Sequence, residues 1–110
     1  LHPEEARKAS HVGRCLGGDA PIVAATDYVR AYPQLIASYV EARFVALGTD
    51  GFGRSDTRAV LRDFFEVDRR HVVIAALQAL AQRGSVPRAT VAAALERYRI
   101  EVAASAPWTR

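Results

Sequence analysis

Two short apolar segments constrain the fold of this chain more than any other feature of its sequence. Residues 21–25 and 43–47 each hold an almost continuous run of apolar side chains. Runs of this length are typical of strands that are buried on both faces of a parallel sheet. We therefore predict two parallel strands at these positions.

The segment between the two predicted strands is expected to be helical. Thr26 and Asp27 are suited to cap a helix that begins at Tyr28, and apolar residues recur at helical spacing as far as Val40. Pro33 lacks an amide donor, so it should bend or restart this helix. Strand, helix and strand in this order form a βαβ unit, whose crossover is almost always right-handed.

Further helices are predicted after the second strand. The first covers residues 57–65 and has Ser55 or Asp56 as its cap. The second covers residues 69–82 and has Asp68 as its cap.

The end of the second of these helices and the start of a last one also have recognisable signals. Gly84 suits the left-handed residue that follows many helices, and Pro87 fits the first turn of the last helix. The residues expected to face the core are Val72, Val73, Ala76, Leu77 and Leu80 in one helix and Val91, Ala94, Leu95 and Tyr98 in the other.

The charge of the chain argues against nucleic-acid binding, although the formal net charge is +3. Fourteen arginines and the single Lys8 are scattered among twelve acidic residues, so they form no basic stripe. No apolar run approaches the roughly 18 residues that a membrane span needs. With one cysteine, Cys15, an internal disulfide is impossible. We expect a cytoplasmic protein without nucleic-acid or membrane partners.

A glycine-rich loop, residues 48–56, follows the second predicted strand. Ligands of open α/β sheets gather at the carboxyl ends of the strands, where this loop lies. Arg54 offers a planar donor fork to an anion, but Asp50 and Asp56 would repel an anion or occupy the loop amides themselves. A structural junction with a neighbouring domain is therefore favoured over an anion site. The candidate contact residues are Thr49, Asp50, Gly51, Phe52, Gly53, Arg54, Ser55 and Asp56.

The sequence offers no recognisable set of catalytic or ligand-binding residues. The loop matches neither the phosphate-binding pattern that ends in Gly-Lys-Ser/Thr nor the glycine spacing of dinucleotide-binding proteins. His2, His11 and His71 lie far apart in the chain, so solvated or helix-capping roles are expected for them. No serine lies in a Gly-x-Ser-x-Gly elbow. We predict no catalytic, cofactor-binding or metal-binding residue in this chain.

Four stretches together carry a family resemblance: residues 24–28, 47–56, 65–68 and 73–77. The longest reads Leu-Gly-Thr-Asp-Gly-Phe-Gly-Arg-Ser-Asp. The set resembles the C-terminal end of bacterial homodimeric pyruvate dehydrogenases, and the resemblance extends over nearly the whole chain. In the related transketolases, the similar loop usually has a charged residue at the position of Gly51.

The resemblance implies both a fold and a function. The fold would be a three-layer α/β/α domain with a mostly parallel sheet, like the C-terminal domain of transketolases, of which this chain would be the latter half. The enzyme would use thiamine diphosphate and magnesium, bound outside this segment, to decarboxylate pyruvate. It would pass the acetyl group to the lipoyl group of its dihydrolipoyl acetyltransferase partner.

Within such a homodimeric enzyme, this segment would be structural or interdomain, and the isolated fragment would be inactive. The alternative is a regulatory anion- or partner-binding domain of a transketolase-like enzyme. Residues 1–20 are predicted as a connecting arm, 21–104 as the latter part of the domain and 105–110 as a tail. Because two strands cannot satisfy their own backbone groups and faces, we expect the remainder of the same polypeptide, or a partner chain, to complete the sheet.

Overall fold

The computed structural model describes residues 2–6, 8–102 and 105–109, with the side chain of Trp108 excepted. Helices and strands alternate first, and helices alone follow. The elements are α1 His11–Cys15, β1 Ile22–Val29, α2 Ala31–Gln34, β2 Phe44–Thr49, α3 Arg58–Phe64, α4 Arg69–Gln82 and α5 Arg88–Tyr98, with 3₁₀ helices at Ala37–Tyr39 and Pro107–Thr109.

The two strands form a parallel pair, and α2 and α4 contact both of them. Pairing runs in register from Ile22 opposite Phe44 to Ala25 opposite Leu47. The predicted α/β class is therefore confirmed, as is the βαβ unit followed by helices. The proposed division into an arm, a domain and a tail stays a prediction, and its boundary at residue 104 lies outside the described residues.

The carboxyl end of β1 contains a bulge that the sequence did not predict. The next paired residues after Ala25 and Leu47 are Val29 and Thr49, so β1 advances four residues while β2 advances two. Thr26 and Asp27 thus belong to the strand, and their prediction as helix caps is wrong. The physical reason is that pairing continues past them, since the amide of Arg30 donates to the carbonyl of Thr49 at 3.1 Å.

The predicted helix between residues 28 and 40 is broken into two short pieces. α2 begins at Ala31, three residues later than predicted, and a separate 3₁₀ helix follows it. The predicted interruption near Pro33 is confirmed in this sense. The segment leaves Leu35 and Tyr39 largely exposed, at 70% and 51% of their surfaces.

The carboxyl ends of the two strands approach so closely that one position requires glycine. A Cβ atom on Gly48 would lie 2.7 Å from the Cα of Arg30 and 2.9 Å from the carbonyl oxygen of Tyr28. Both atoms belong to the backbone, so a side chain could not move them aside without displacing the bulged strand. Gly48 is itself buried in this contact.

The helices after β2 follow the sequence prediction with two exceptions. α3 is preceded by Thr57, which makes no side-chain capping bond, so the predicted cap at Ser55 or Asp56 is wrong. Val73 is 39% exposed rather than core-facing. The predicted bounds of α4 are confirmed, and Gly84 adopts the left-handed φ of +83° after it.

None of the described helices is both long enough and apolar enough to cross a membrane.

Asp68 caps α4 as predicted. Its Oδ1 accepts hydrogen bonds from the amides of Arg70 and His71 at 2.9 and 3.0 Å, and its Oδ2 accepts one from Arg70 Nε at 2.6 Å. Burial acts to raise the pKa of Asp68, but the bonds from the His71 amide, the Arg70 guanidinium and the His71 ring outweigh it. The pKa is held at about 2, against an ordinary value of 3.8.

Little of the chain is buried. Among the described residues, the buried hydrophobic side chains are those of Phe65, Val67 and Ala79. The accessible surface is 8280 Å², whereas a compact protein of this mass has about 6,000 Å². The radius of gyration is 16.5 Å, against about 13 Å for a compact domain of this length. More surface is therefore open than in a compact domain, and it includes the large apolar side chains of Tyr28, Leu35, Phe52 and Val102.

A methyl group at position 48 should disrupt the junction of the two strands. We expect Gly48→Ala to destabilise the domain by roughly 1–3 kcal/mol, because the added Cβ meets fixed backbone atoms. Calorimetry of the complete gene product would show a lower midpoint for the unfolding transition of this domain. Ser85→Ala, at an exposed position after α4, is the control. Equal midpoints for the two variants would contradict the account.

The Asp68 cap should stabilise the domain in a pH-dependent way. A pKa lowered from 3.8 to about 2 in the folded state corresponds to about 2 kcal/mol, fully present above about pH 4 and lost as the pH falls through about 2. The melting temperature of the complete gene product should therefore fall in Asp68→Asn at pH 6, and the difference should shrink towards pH 2. Glu101→Gln, at an exposed position, is the control. A difference that stays constant with pH would refute the charge-based explanation.

Candidate interaction site at the carboxyl edge of the sheet

The candidate site lies where both strands end. The bulge of β1, the end of β2, the loop 48–56 and the first turn of α3 meet there. Asp27 is the central side chain, because the bulge directs its carboxylate towards α3. Bulges commonly redirect a side chain in this way beside functional sites.

Asp27 holds two arginines of α3. Its Oδ1 accepts a hydrogen bond from Arg62 Nε at 2.8 Å, and its Oδ2 accepts one from Arg62 Nη2 at 2.7 Å. Arg58 Nη2 donates to Oδ2 at 3.3 Å. The hydrogen bonds from Arg62 are the main reason that the pKa of Asp27 is lowered. The bidentate pair fixes the orientation of α3 relative to β1.

The base of the loop is attached to β1 at two points. Thr49 Oγ1 donates to the carbonyl of Asp27 at 3.3 Å. Asp50 Oδ1 lies 3.1 Å from Arg30 Nε, and the Asp50 side chain is only 21% exposed. The predicted site residues Thr49 and Asp50 therefore serve as attachments of the loop.

The tip of the loop projects away from the domain. Gly51 has a left-handed φ of +66°. The next residue, Phe52, is 96% exposed, the largest exposed fraction among the large hydrophobic side chains of the described residues. A Cβ on Gly53 would have no neighbour within 4 Å, so this part of the loop is open.

The loop returns to the domain through Arg54. The guanidinium carbon of Arg54 lies 4.2 Å from the centre of the Phe64 ring, in a cation–π contact. Phe64 in turn packs edge-to-face on Phe65, with 5.0 Å between the ring centres. Ser55 is exposed, and Asp56 Oδ1 accepts a hydrogen bond from the Thr57 amide at 2.6 Å.

A cleft of about 330 Å³ lies between the loop and the strand ends. Its charged lining comprises Arg54, Arg58 and Arg62 with Asp27 and Asp56. Three arginines and two aspartates leave a formal excess of one positive charge, and Asp27 already engages Arg58 and Arg62. The electrostatics of the cleft thus favour an anion only weakly, and the role of the loop stays a prediction.

A second polar cluster lies at the start of α4. Ligand atoms of Asp63, Asp68 and His71 lie within 4.8 Å of one another, a spacing that a metal ion could use. Arg70 pairs with both carboxylates, however, and His71 Nδ1 lies 2.8 Å from Asp68 Oδ1. The cluster is therefore an ion-pair network around the helix cap, with Arg70 paired to both carboxylates. His71 lies beside the cap, in the role that the sequence allowed for it.

Comparison with known proteins assigns this architecture to a family. Residues 4–68 match the model of the transketolase-like TK C-terminal domain. This match covers more than half of the chain. The chain belongs to the transketolase-like C-terminal domain family.

Individual relatives of this transketolase-like domain share one name. The chain is 52% identical over 102 residues to the pyruvate dehydrogenase E1 component of Cupriavidus necator, 50% over 103 residues to that of Pseudomonas aeruginosa, and 44% over 102 residues to that of Escherichia coli K12. Each match covers 92% of this chain. The chain spans 11% to 12% of the length of these relatives.

The sequence did not predict that Asp27 is the central residue of this site. Asp27 resembled a helix cap because it follows an apolar run and precedes a helical pattern. The spacing of Arg58 and Arg62, which places both on one side of α3, was the available signal that a carboxylate faces them. The bulge that brings Asp27 into reach lies between two pairs of the parallel strands, Ala25 with Leu47 and Val29 with Thr49, whose members are far apart in the sequence.

The two arginines that share Asp27 should differ in importance. Arg62 makes the bidentate contact and is 40% exposed, whereas Arg58 makes one longer contact and is 75% exposed. We expect Arg62→Ala to accelerate hydrogen exchange of the α3 and loop amides in the complete gene product, and Arg58→Ala to have a smaller effect. Mass-spectrometric exchange measures both. An Arg58 effect equal to or larger than that of Arg62 would contradict the bidentate contact as the main attachment.

Proposed function

We propose that this chain is the C-terminal part of a thiamine-diphosphate-dependent pyruvate dehydrogenase, to which it makes a structural, interdomain contribution. The observation that carries the proposal is 44% to 52% identity over 92% of the chain to proteins named pyruvate dehydrogenase E1 component. The complete enzyme would decarboxylate pyruvate and transfer the acetyl group to the lipoyl group of an acetyltransferase component.

The structural role is supported by how the charged groups at the carboxyl edge are used. Asp27, Asp50 and Asp56 each bind another group of the same chain. The bonds of Asp27 and Asp50 attach α3 and the loop to β1, and Asp56 accepts from the neighbouring Thr57 amide. The described part of this edge therefore has no carboxylate poised as an acid or base. The carboxyl edge of the sheet therefore has the features of a surface stabilised by internal bonds, and not those of a reaction centre.

The cofactors of the proposed enzyme would be held by other segments of the polypeptide. The described cluster with metal-ligand spacing, Asp63, Asp68 and His71, does not fit Mg²⁺, because Arg70 already pairs with both of its carboxylates. Magnesium also prefers an octahedral shell of oxygen atoms. We therefore derive no step of the reaction through residues of this chain.

The proposed partners are the remainder of the same polypeptide, a second subunit of a homodimer, and the dihydrolipoyl acetyltransferase component. Arginines in ion pairs support the absence of a nucleic-acid partner, because a guanidinium held by a carboxylate is less available to phosphates. Five such arginines lie in the described residues: Arg30, Arg58, Arg62, Arg70 and Arg83. We propose a cytoplasmic location without membrane attachment.

A second candidate function is regulatory binding of an anion or a partner. The cleft lined by Arg54, Arg58 and Arg62 is the observation that favours it. The near balance of positive and negative groups in that cleft makes this the weaker candidate.

Steady-state assays of the complete gene product test the proposal. We expect decarboxylation of pyruvate that requires added thiamine diphosphate and Mg²⁺, and acetyl transfer to a lipoyl acceptor. Activity with sugar phosphates but not with pyruvate would overturn the assignment in favour of a transketolase. Activity that responds to added inorganic phosphate, and loses this response in Arg54→Ala, would support the regulatory candidate.

A further inference from the structure

We infer that Phe52 is an aromatic anchor by which the loop 48–56 docks into an apolar pocket on the remainder of the same polypeptide. This inference rests on the proposed function, because it requires a longer polypeptide, and it adds the anchoring residue and the chemistry of its pocket. Phe52 is 96% exposed. Aromatic side chains contribute much of the apolar area that interfaces bury, and their loss of contact with water favours docking.

The loop presents the phenyl ring in a prepared position. On one side, Asp50 lies 3.1 Å from Arg30 and ties the loop to β1. On the other side, Arg54 lies 4.2 Å from the ring centre of Phe64 on α3. The tip between these attachments is short. Docking of a loop that is already held loses little conformational freedom, which is what an anchor requires.

The two glycines beside Phe52 fit the same role. Gly51 takes a left-handed φ of +66°, which turns the chain outwards before the ring. Gly53 has open space around the position of a Cβ. With no side chain on either neighbour, the phenyl ring can enter a narrow pocket without steric obstruction.

Two observations favour the same polypeptide over a second copy as the occupant. The chain spans 11% to 12% of its relatives' length, so most of a relative's chain is available to cover it. The 8280 Å² surface exceeds that of a compact protein of this mass by about 2,300 Å². One partner of a standard interface buries about 800 Å². An excess of this size fits packing within one folded chain.

The surroundings of Phe52 indicate the chemistry of the opposing surface. Arg58 and Arg62 line the adjacent cleft, and both retain exposed surface, 75% and 40% of the side chain. Interfaces commonly have an apolar centre with a polar rim of complementary charge. The pocket for Phe52 should therefore be apolar, with a polar rim on the side of α3.

Photo-crosslinking in the complete gene product tests the inference. Phe52 is replaced by p-benzoylphenylalanine, which inserts into nearby C–H bonds on illumination, and the product is digested and mapped. We expect a cross-link from the loop to an apolar segment of the same polypeptide outside these 110 residues, at the mass of one chain. The same replacement at Phe64, which packs on Phe65 at 5.0 Å, is the control and should cross-link within the 110 residues.

Each other outcome overturns the inference. A product with twice the chain mass would show that a second copy receives Phe52. A cross-link within the 110 residues, or none at Phe52 beside a positive control, would show that the ring does not dock on the remainder of the polypeptide. Activity of the unmodified protein with pyruvate decides the proposed function separately, so the two failures are distinguishable.

A measurement on the unsubstituted protein covers the case in which the replacement prevents folding. Hydrogen exchange of residues 50–54 should be at least about tenfold slower in the complete gene product than in an unstructured peptide of the same sequence. Exchange at the peptide rate would contradict docking. Phe52→Ala should abolish the protection, whereas Phe52→Leu should keep most of it because an apolar group remains.

Discussion

The close approach of β1 and β2 at Gly48 is the constraint on which the rest of the carboxyl edge depends. Because position 48 has no Cβ, the backbone of Arg30 can lie where a side chain would otherwise stand. β1 can then continue to Val29 through its bulge, and Asp27 reaches Arg62. The attachment of α3 to β1 therefore depends on this one contact between backbones. The contact of Arg54 with Phe64 on α3 depends on it in turn.

Local signals predicted much of the fold. The cap at Asp68, the turn at Gly84 and the full length of α4 depend on neighbouring residues, and all three were read correctly. The bulge in β1 could not be predicted from neighbouring residues. Its cause is a pairing between distant strands, and the local pattern at Thr26 favoured a helix cap. Tertiary pairing overrode that local preference.

The candidate site was predicted in position but not in its internal arrangement. Sequence reasoning placed a loop at the carboxyl edge and led to the expectation that its aspartates weaken an anion site. It could not indicate that Asp50 binds Arg30, that Arg54 stacks on Phe64, or that Phe52 is left outside. These contacts join elements that are far apart in the sequence. Together they describe a loop whose two ends are attached to the domain and whose tip is exposed to solvent.

The central claim is that this edge is a docking surface of a larger enzyme and not its reaction centre. A cryo-electron microscopy structure of the complete gene product with thiamine diphosphate and Mg²⁺ tests it most directly. The account predicts that Phe52 is buried against residues outside this chain and that the cofactor contacts none of residues 48–56. A solvent-exposed Phe52, or a cofactor bound by the loop, would contradict it.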